Sequence, residues 1–407
     1  MDTALVNRLL FAKGLRAFGD GFVSLLLPLY LLELGYDSFM VGIIASATLL
    51  GSGVMTLAVG LTAHRYHYRT LLLAAAALMV ATGAGFATLT QLWPLALVAV
   101  VGTLNPSSGD VSVFLPLEHA VLSRVVDDRH RTATFARYAL VGTLVAAVGS
   151  LAAGAPAYLA QATAMPMRTW LQGMFALYAL LGVAAAFAYR GLPRALESTT
   201  QVAAPLTRSR RAVFTLAALF SLDAFGGGFI VQSLIALWLF QRFDLSLAVT
   251  GTIFFVTGVL SAVSYLIAVR IANRIGLVNT MVFTHLPANL CLVAIPFVPD
   301  VGVAIALLFV RSLLSQMDVP TRSSYVMAIV SPEERPAAAS ITSVPRSLAS
   351  AASPFMAGYL LTLSSFGWPL VIAGALKIAY DLLLLATFRH VKPPEESAPP
   401  ARAPRRA

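Results

Sequence analysis

The chain has 407 residues, 58% of them hydrophobic and 11% charged, with a net charge of +10 and a mean hydropathy of +0.81. A soluble domain carries about 25% charged residues, so a chain this apolar cannot be a water-soluble two-domain protein without exposing much of its apolar surface. Its single cysteine, Cys291, excludes an internal disulfide framework and a cysteine metal cluster.

Twelve apolar stretches follow in order, at 5–34, 39–63, 70–90, 93–123, 133–157, 168–190, 211–240, 246–271, 277–298, 301–329, 337–363 and 366–389. Each approaches or exceeds the roughly 20 residues that cross a bilayer core of about 30 Å. The first is long, carries charges and lacks a small-residue cleavage site, so it reads as a span and not as a cleaved signal. The polar segment 191–210 separates six stretches from six. The predicted fold class is therefore an all-α polytopic membrane protein. A six-helix bundle over 1–190 is followed by a central loop over 191–210, a second bundle over 211–390 and a proline-rich tail over 391–407, expected to be disordered.

Arginine concentrates in alternate loops: Arg65 and Arg69; Arg124, Arg129 and Arg131; Arg190, Arg194 and Arg208; Arg270 and Arg274; Arg335; Arg389. The opposite loops hold little besides Arg168 and Arg242. The positive-inside rule places the rich set, the central loop and both termini in the cytoplasm, and the chain in the cytoplasmic (inner) membrane. The basic residues form no continuous face with interleaved aromatics, which argues against a nucleic-acid partner.

The second half repeats the first. Ala17-Phe18-Gly19-Asp20-Gly21-Phe22 returns 207 residues later as Ala224-Phe225-Gly226-Gly227-Gly228-Phe229. Asp110-Val111 returns as Asp318-Val319, Asp127-Asp128-Arg129 as Glu333-Glu334-Arg335, and Arg137 as Arg346. Four pairings in one order predict two parallel halves related by an axis along the membrane normal, with a substrate site where they meet.

This organisation resembles the major facilitator superfamily over essentially residues 1–390. That family's loop between helices 2 and 3 reads G-x-L-A-D-R-x-G-R-R; the chain has Gly60-Leu61-Thr62-Ala63-His64-Arg65-Tyr66-His67-Tyr68-Arg69. The second copy, between stretches 8 and 9, has Ala272-Asn273-Arg274-Ile275-Gly276. The arginine is kept in both, while the family's Asp is His64 in one and Asn273 in the other. The resemblance implies gating roles for Gly60, His64, Arg65, Arg69, Asn273 and Arg274, with plain loop topology as the other reading. With His64 in the Asp position, gating is expected to follow histidine protonation. The resemblance also implies that stretches 1, 4, 7 and 10 line a cavity, that 2, 5, 8 and 11 form the bundle interface, and that the rest face lipid.

Ionisable groups in lipid face a cavity or one another. Arg16 and Asp20 share a face of stretch 1; Asp110 and Glu118 lie in stretch 4, and Asp223 in stretch 7. Arg311, Ser315, Asp318 and Arg322 form one stripe of stretch 10. Arg16, Asp20, Asp110, Asp223, Arg311, Asp318 and Arg322 are the candidate substrate and proton residues. Internal pairing of Arg16 with Asp20, Asp318 with Arg322, and Lys377 with Asp381 is the alternative. Arg137 and Arg346, on interface stretches, read as gate or pairing residues. Glu118 is placed near the cytoplasmic mouth, where water solvates it. His285 reads as a core histidine.

The expected function is secondary active transport by alternating access. A small polar or anionic solute is the first choice of passenger, coupled to protons and exported. A cation or drug-like passenger, or a non-transporting receptor or assembly factor of the same fold, stands as the alternative. No phosphate loop, G-x-S-x-G elbow or H-E-x-x-H motif is present, so neither an enzyme nor a cofactor or bound metal is expected, and a monomer suffices. A topology reporter near Ser198 or after Arg406 is expected to read cytoplasmic, and one near Ala164 external. An external signal at Ser198 overturns the six-plus-six division.

Overall fold

The computed structural model describes residues 3–62, 65–107, 112–193, 209–331 and 334–391. Asp110 and His64, and most of the central loop and tail, lie outside the described residues. In the N-terminal half the helices are α1 (Thr3–Glu33), α2 (Ser38–Thr62), α3 (Tyr68–Thr88), α4 (Leu92–Val101), α5 (Phe114–Val125), α6 (Asp128–Ala152), α7 (Ala155–Thr163) and α8 (Met167–Arg190). In the C-terminal half they are α9 (Arg210–Gly228), α10 (Gln232–Phe243), α11 (Leu247–Ile275), α12 (Leu277–Ala294), α13 (Val301–Ser315), α14 (Asp318–Ile329), α15 (Arg335–Ala351), α16 (Pro354–Leu363) and α17 (Trp368–Phe388). No strand occurs among the described residues. Helices are one of the few forms that satisfy every backbone donor and acceptor inside lipid.

Ten continuous or closely jointed segments among the described residues are long and apolar enough to cross a membrane. The other two expected spans are in pieces. Stretch 4 is split into α4 and α5 around Gly102 and Pro106, whose ring cannot donate to a helix ladder. Stretch 11 is split into α15 and α16 at Ala352-Ser353, before Pro354. Its first piece falls short in hydropathy because it carries Arg335, Arg346 and four serines. Stretches 5, 7 and 10 are jointed as well, at Ala153-Gly154, Phe229–Val231 and Gln316-Met317.

The repeat visible in the sequence is also a repeat of packing. Gly21 of α1 meets the backbone of Ala146 in α6, and Gly228 of α9 meets that of Ser350 in α15. These contacts set the register between halves: 207 residues separate the glycines, but 204 separate their partners. By this register Arg346 stands opposite Gly142, five residues along α6 from Arg137. The space beside Gly142 is occupied by the Lys13 side chain.

The halves meet through α2 with α15 and α16, α6 with α11, and α1 with α10. These contacts gather on the side away from the described chain ends. There Gln241 donates to Ser38 Oγ (2.6 Å), Phe355 N–H to Ser46 Oγ (3.0 Å), and Ser233 N–H to the Pro106 carbonyl (3.0 Å). Gly42 and Gly358 let α2 and α16 touch backbone to backbone; a Cβ on Gly358 would stand 2.4 Å from the Ser38 carbonyl. Toward the terminal side α2 is freer: Val54 is 52% exposed, and a Cβ on Gly60 would meet nothing within 4 Å. The far side is therefore closed, and the space between halves opens toward the termini.

Gly358→Val is expected to force α2 and α16 apart and shift the molecule toward a far-side-open form. A cysteine at Ser46→Cys, in a Cys291→Ala background, is then expected to react several-fold faster with an impermeant thiol reagent from the far side. An unchanged rate contradicts the closure described.

Candidate functional site

Two clusters of buried charge hold the halves together internally, and they differ in kind. In the N-terminal half Glu118 of α5 has no exposed surface. Its carboxylate receives the Arg16 guanidinium of α1, the Tyr138 hydroxyl of α6 and the Tyr189 hydroxyl of α8 (2.7 Å). Arg16 Nε also donates to Tyr189 Oη at 3.1 Å, and the guanidinium lies 4.0 Å from the Phe114 ring centroid. Four helices thus converge on one well-satisfied carboxylate. The expectation that water solvates Glu118 at a mouth is corrected. So is the Arg16–Asp20 pairing: Arg16 takes Glu118, while Asp20 lies 3.5 Å from the Tyr178 hydroxyl, which donates to the Thr103 carbonyl at 3.0 Å.

The C-terminal cluster is larger and less satisfied. Asp223 of α9 accepts from Arg322 of α14 (2.9 Å) and Lys377 of α17 (2.7 Å). Arg322 also bonds Asp318 on its own helix, so that expected pairing is present but shared. His285 of α12 joins Asp381 of α17 at 2.9 Å, and its other ring nitrogen lies 4.0 Å from Asp223. Asn289 donates to Asp381 at 2.9 Å. Lys377 and Asp381, four residues apart on one helix, therefore serve different partners. Arg322 sits over the rings of Phe220 (5.0 Å) and Tyr380 (5.9 Å).

Several donors here have no acceptor. Buried and without a hydrogen-bond partner are Arg322 Nε and Nη1, Arg311 Nε, Ser315 Oγ and Tyr380 Oη. Arg311, Ser315 and Arg322 are three members of the stripe read from the sequence, now carried on α13 and α14 across their joint. Among the described residues no carboxylate pairs with Arg311. Buried groups left unpaired in this way mark a missing ion, ligand or water.

Arg346 lies on α15, a helix that packs on α9 of its own half and on α2 of the other. It lies on a polar stripe of α15 with Ser343, Ser347 and Ser350, between the face packed on α9 and the face packed on α2. Its side chain is exposed, yet Arg322, Asp223 and Asp318 are within coulombic reach. Arg137 is exposed on α6. Of the gate loops, Arg69 Nη1 reaches the Leu192 carbonyl of its own half at 3.5 Å, Arg65 is exposed, and Asn273 and Arg274 are exposed at the end of α11. Sequence reasoning missed the partners Tyr138, Tyr189 and Asn289, read His285 as a core histidine, and paired Asp381 with Lys377, whereas His285 and Asp381 pair with each other. A tyrosine or histidine inside an apolar stretch was the available signal, but nothing local says which helix it meets. No group of three or more His, Cys, Asp or Glu able to hold a metal occurs among the described residues.

Residues 9–317 match the family model described as Major Facilitator Superfamily. An uncharacterized membrane protein of Saccharomyces cerevisiae, YJR124C, is 24% identical over 415 residues, covering 92% of each chain. Among solved structures, nucleoside transporter NupG superposes with a TM-score of 0.70 at 14% identity, covering 96% of this chain and 100% of its own. The human organic anion transporter MFSD10 (TETRAN) superposes at 0.67 with 16% identity, covering 94% and 99%. A bacterial homolog of the human lysosomal transporter Spinster, inward-facing and occupied, superposes at 0.71 with 12% identity, covering 94% of each chain. At these identities the likeness is one of fold.

Glu118→Gln leaves the Arg16 charge buried without a counter-charge, a change that costs about 3–5 kcal/mol. A marked drop in melting temperature in detergent is expected, with substantial recovery in Glu118→Gln/Arg16→Gln. Arg346→Gln, at an exposed side chain, is expected to stay within about 0.5 kcal/mol of the native protein. Native melting of Glu118→Gln argues against this cluster as a structural tie.

Proposed function

Because this chain belongs to the Major Facilitator Superfamily, we propose that it is a secondary active transporter for a small anionic solute, working by alternating access. The observation that carries the reading is the row of buried, unpaired donors on α13 and α14, at Arg311, Ser315 and Arg322. Each buried donor without an acceptor costs about 1–3 kcal/mol, and an anion presents acceptor atoms together with the charge that offsets Arg311. A cation offers neither. The exposed Arg346, on α15, gives an anion a first contact before it reaches the buried row.

Asp318 is the proposed proton carrier. Its guanidinium partner Arg322 is already shared with Asp223. An anion drawn to the free edge of Arg322 competes with the Asp318 carboxylate for that guanidinium. Proton and anion are thereby linked through one arginine. Asp20 and the undescribed Asp110 remain candidates for the same role in the other half, whereas Arg16 is better read as the counter-charge of Glu118.

The arginine bias supports a cytoplasmic placement of the open, terminal side, and on that reading the state is inward-open in an inner membrane. An anion and a proton on Asp318 occupy the site together in this scheme, so the pair crosses in one direction and an inward proton gradient drives uptake; export, the direction expected from the sequence, runs down the anion's own gradient. Both halves and the full donor row lie in one chain, so a monomer is sufficient. The gate reading of Gly60, Arg65, Arg69, Asn273, Arg274 and Arg137 is retained as part of this proposal.

Thermal-shift screening of purified protein against matched panels of organic and inorganic anions and of cations is expected to find stabilisation by anions. Arg311→Gln is expected to weaken the effective anion about 10- to 100-fold, the scale of a lost charged hydrogen bond. In vesicles, Asp318→Asn is expected to abolish proton-driven flux of that anion while preserving anion exchange. Stabilisation by cations alone rejects the substrate class. Full driven flux in a stable Asp318→Asn protein rejects the coupling role.

A further inference from the structure

A cavity of about 610 Å³ lies toward the terminal side of the C-terminal half, walled by the ends of α11, α12 and α17 and by Pro320, Thr321 and Ser324 of α14. It is distinct from the buried donor row and is built differently. Among the described residues its polar wall consists of Asn273, Arg274, Asn279, Thr321, Ser324 and Arg389, with no aspartate or glutamate. Among the described residues neither arginine has a carboxylate partner; Arg389 Nε donates to His390 Nε2 at 2.8 Å. Asn279 spends one amide hydrogen on the Ile275 carbonyl (2.8 Å) and keeps its other groups available. Two guanidinium groups with neutral donors around them, and no counter-charge among the described residues, suit a phosphate-like anion.

The setting says which kind. The cavity is at the ends of three helices of spans that cross the membrane, α11, α12 and α17, the depth at which lipid phosphates lie. Its rim adjoins exposed apolar side chains: Val269 is 58% exposed and Ile275 is 42% exposed. Leu266, one turn further into the span, is 56% exposed. An apolar track that ends in a cationic recess suits a molecule with an acyl chain and a charged head, and basic recesses between helices on the cytoplasmic side bind anionic headgroups. We propose that this cavity is a binding site for the phosphate headgroup of an anionic phospholipid. Pro320 and Thr321 of α14 form part of its wall, so an occupant touches the helix that carries Asp318 and Arg322.

The test uses the full chain in nanodiscs of phosphatidylcholine with or without one-fifth phosphatidylglycerol. Bound lipid is counted by native mass spectrometry after detergent release, and melting temperature is followed in parallel. The native protein is expected to retain phosphatidylglycerol and to melt higher in its presence. Each arginine near such a headgroup contributes about fivefold in affinity, so Arg274→Gln/Arg389→Gln is expected to retain it roughly 20- to 30-fold more weakly. A control with the same loss of charge, Arg168→Gln/Arg242→Gln, is expected to retain it as the native protein does. Equal retention by the double variant and native protein overturns the proposal, as does equal loss in the control. Inorganic phosphate or glycerol phosphate in pure phosphatidylcholine discs is expected to give no stabilisation. If either matches phosphatidylglycerol, the site belongs to a soluble anion and the lipid assignment fails. None of these readouts depends on transport, so they stand or fall separately from the proposed function.

Discussion

The C-terminal half is organised around the guanidinium of Arg322. In a low-dielectric interior a cation must be held by counter-charge or be expelled. Here Asp318 holds it along its own helix and Asp223 holds it across to α9. Asp223 in turn collects Lys377 from α17 and approaches His285 from α12, and His285 passes the link to Asp381 and Asn289. Four helices are fixed in rotation by this chain of contacts. The edge of Arg322 left without acceptors is what marks this cluster as a candidate site and sets it apart from a structural tie.

The two halves meet the same constraint with opposite solutions. Around Glu118, one carboxylate receives one arginine and two tyrosine hydroxyls, and the tyrosines also cushion the charge sterically. Around Asp223, two cations share one carboxylate and further donors go unanswered. The first arrangement suits a rigid body. The second can exchange partners, because no member is bound by all the groups it could use. The contact register adds a further asymmetry. The space beside Gly142 is filled by Lys13 from α1, while the matching position in the other half is Arg346 of α15, with Phe220 replacing the lysine. Each half thus brings a cation to the same place in its packing, from a different helix.

Movement between states needs joints, and the helices supply them at Gly102–Pro106, Ala153-Gly154, Phe229–Val231, Gln316-Met317 and Ala352-Ser353. Each interrupts a span at mid-depth or toward the far side. The joint in stretch 10 falls between Arg311 and Asp318, so the two ends of the donor row sit on separate rigid pieces. A change in the angle between α13 and α14 alters their spacing without breaking either helix.

The class, the two-fold division, the placement of charge on stretches 1, 4, 7 and 10, and the Arg311–Ser315–Arg322 stripe were determined by the sequence alone. Hydropathy over 20 residues, a repeat of about 207 and the 3.6-residue helical period are local or periodic properties, and they survive in a string of letters. Only the tertiary structure decided who pairs with whom. Arg16 passes over Asp20, four residues away, for Glu118, 102 positions on. Lys377 leaves Asp381 for Asp223, 154 positions back. An ion pair between helices depends on the rotation and depth of both, which are set by where glycines allow backbones to touch and where prolines break a span. Those quantities belong to the packing of the whole bundle, and no single stretch contains them.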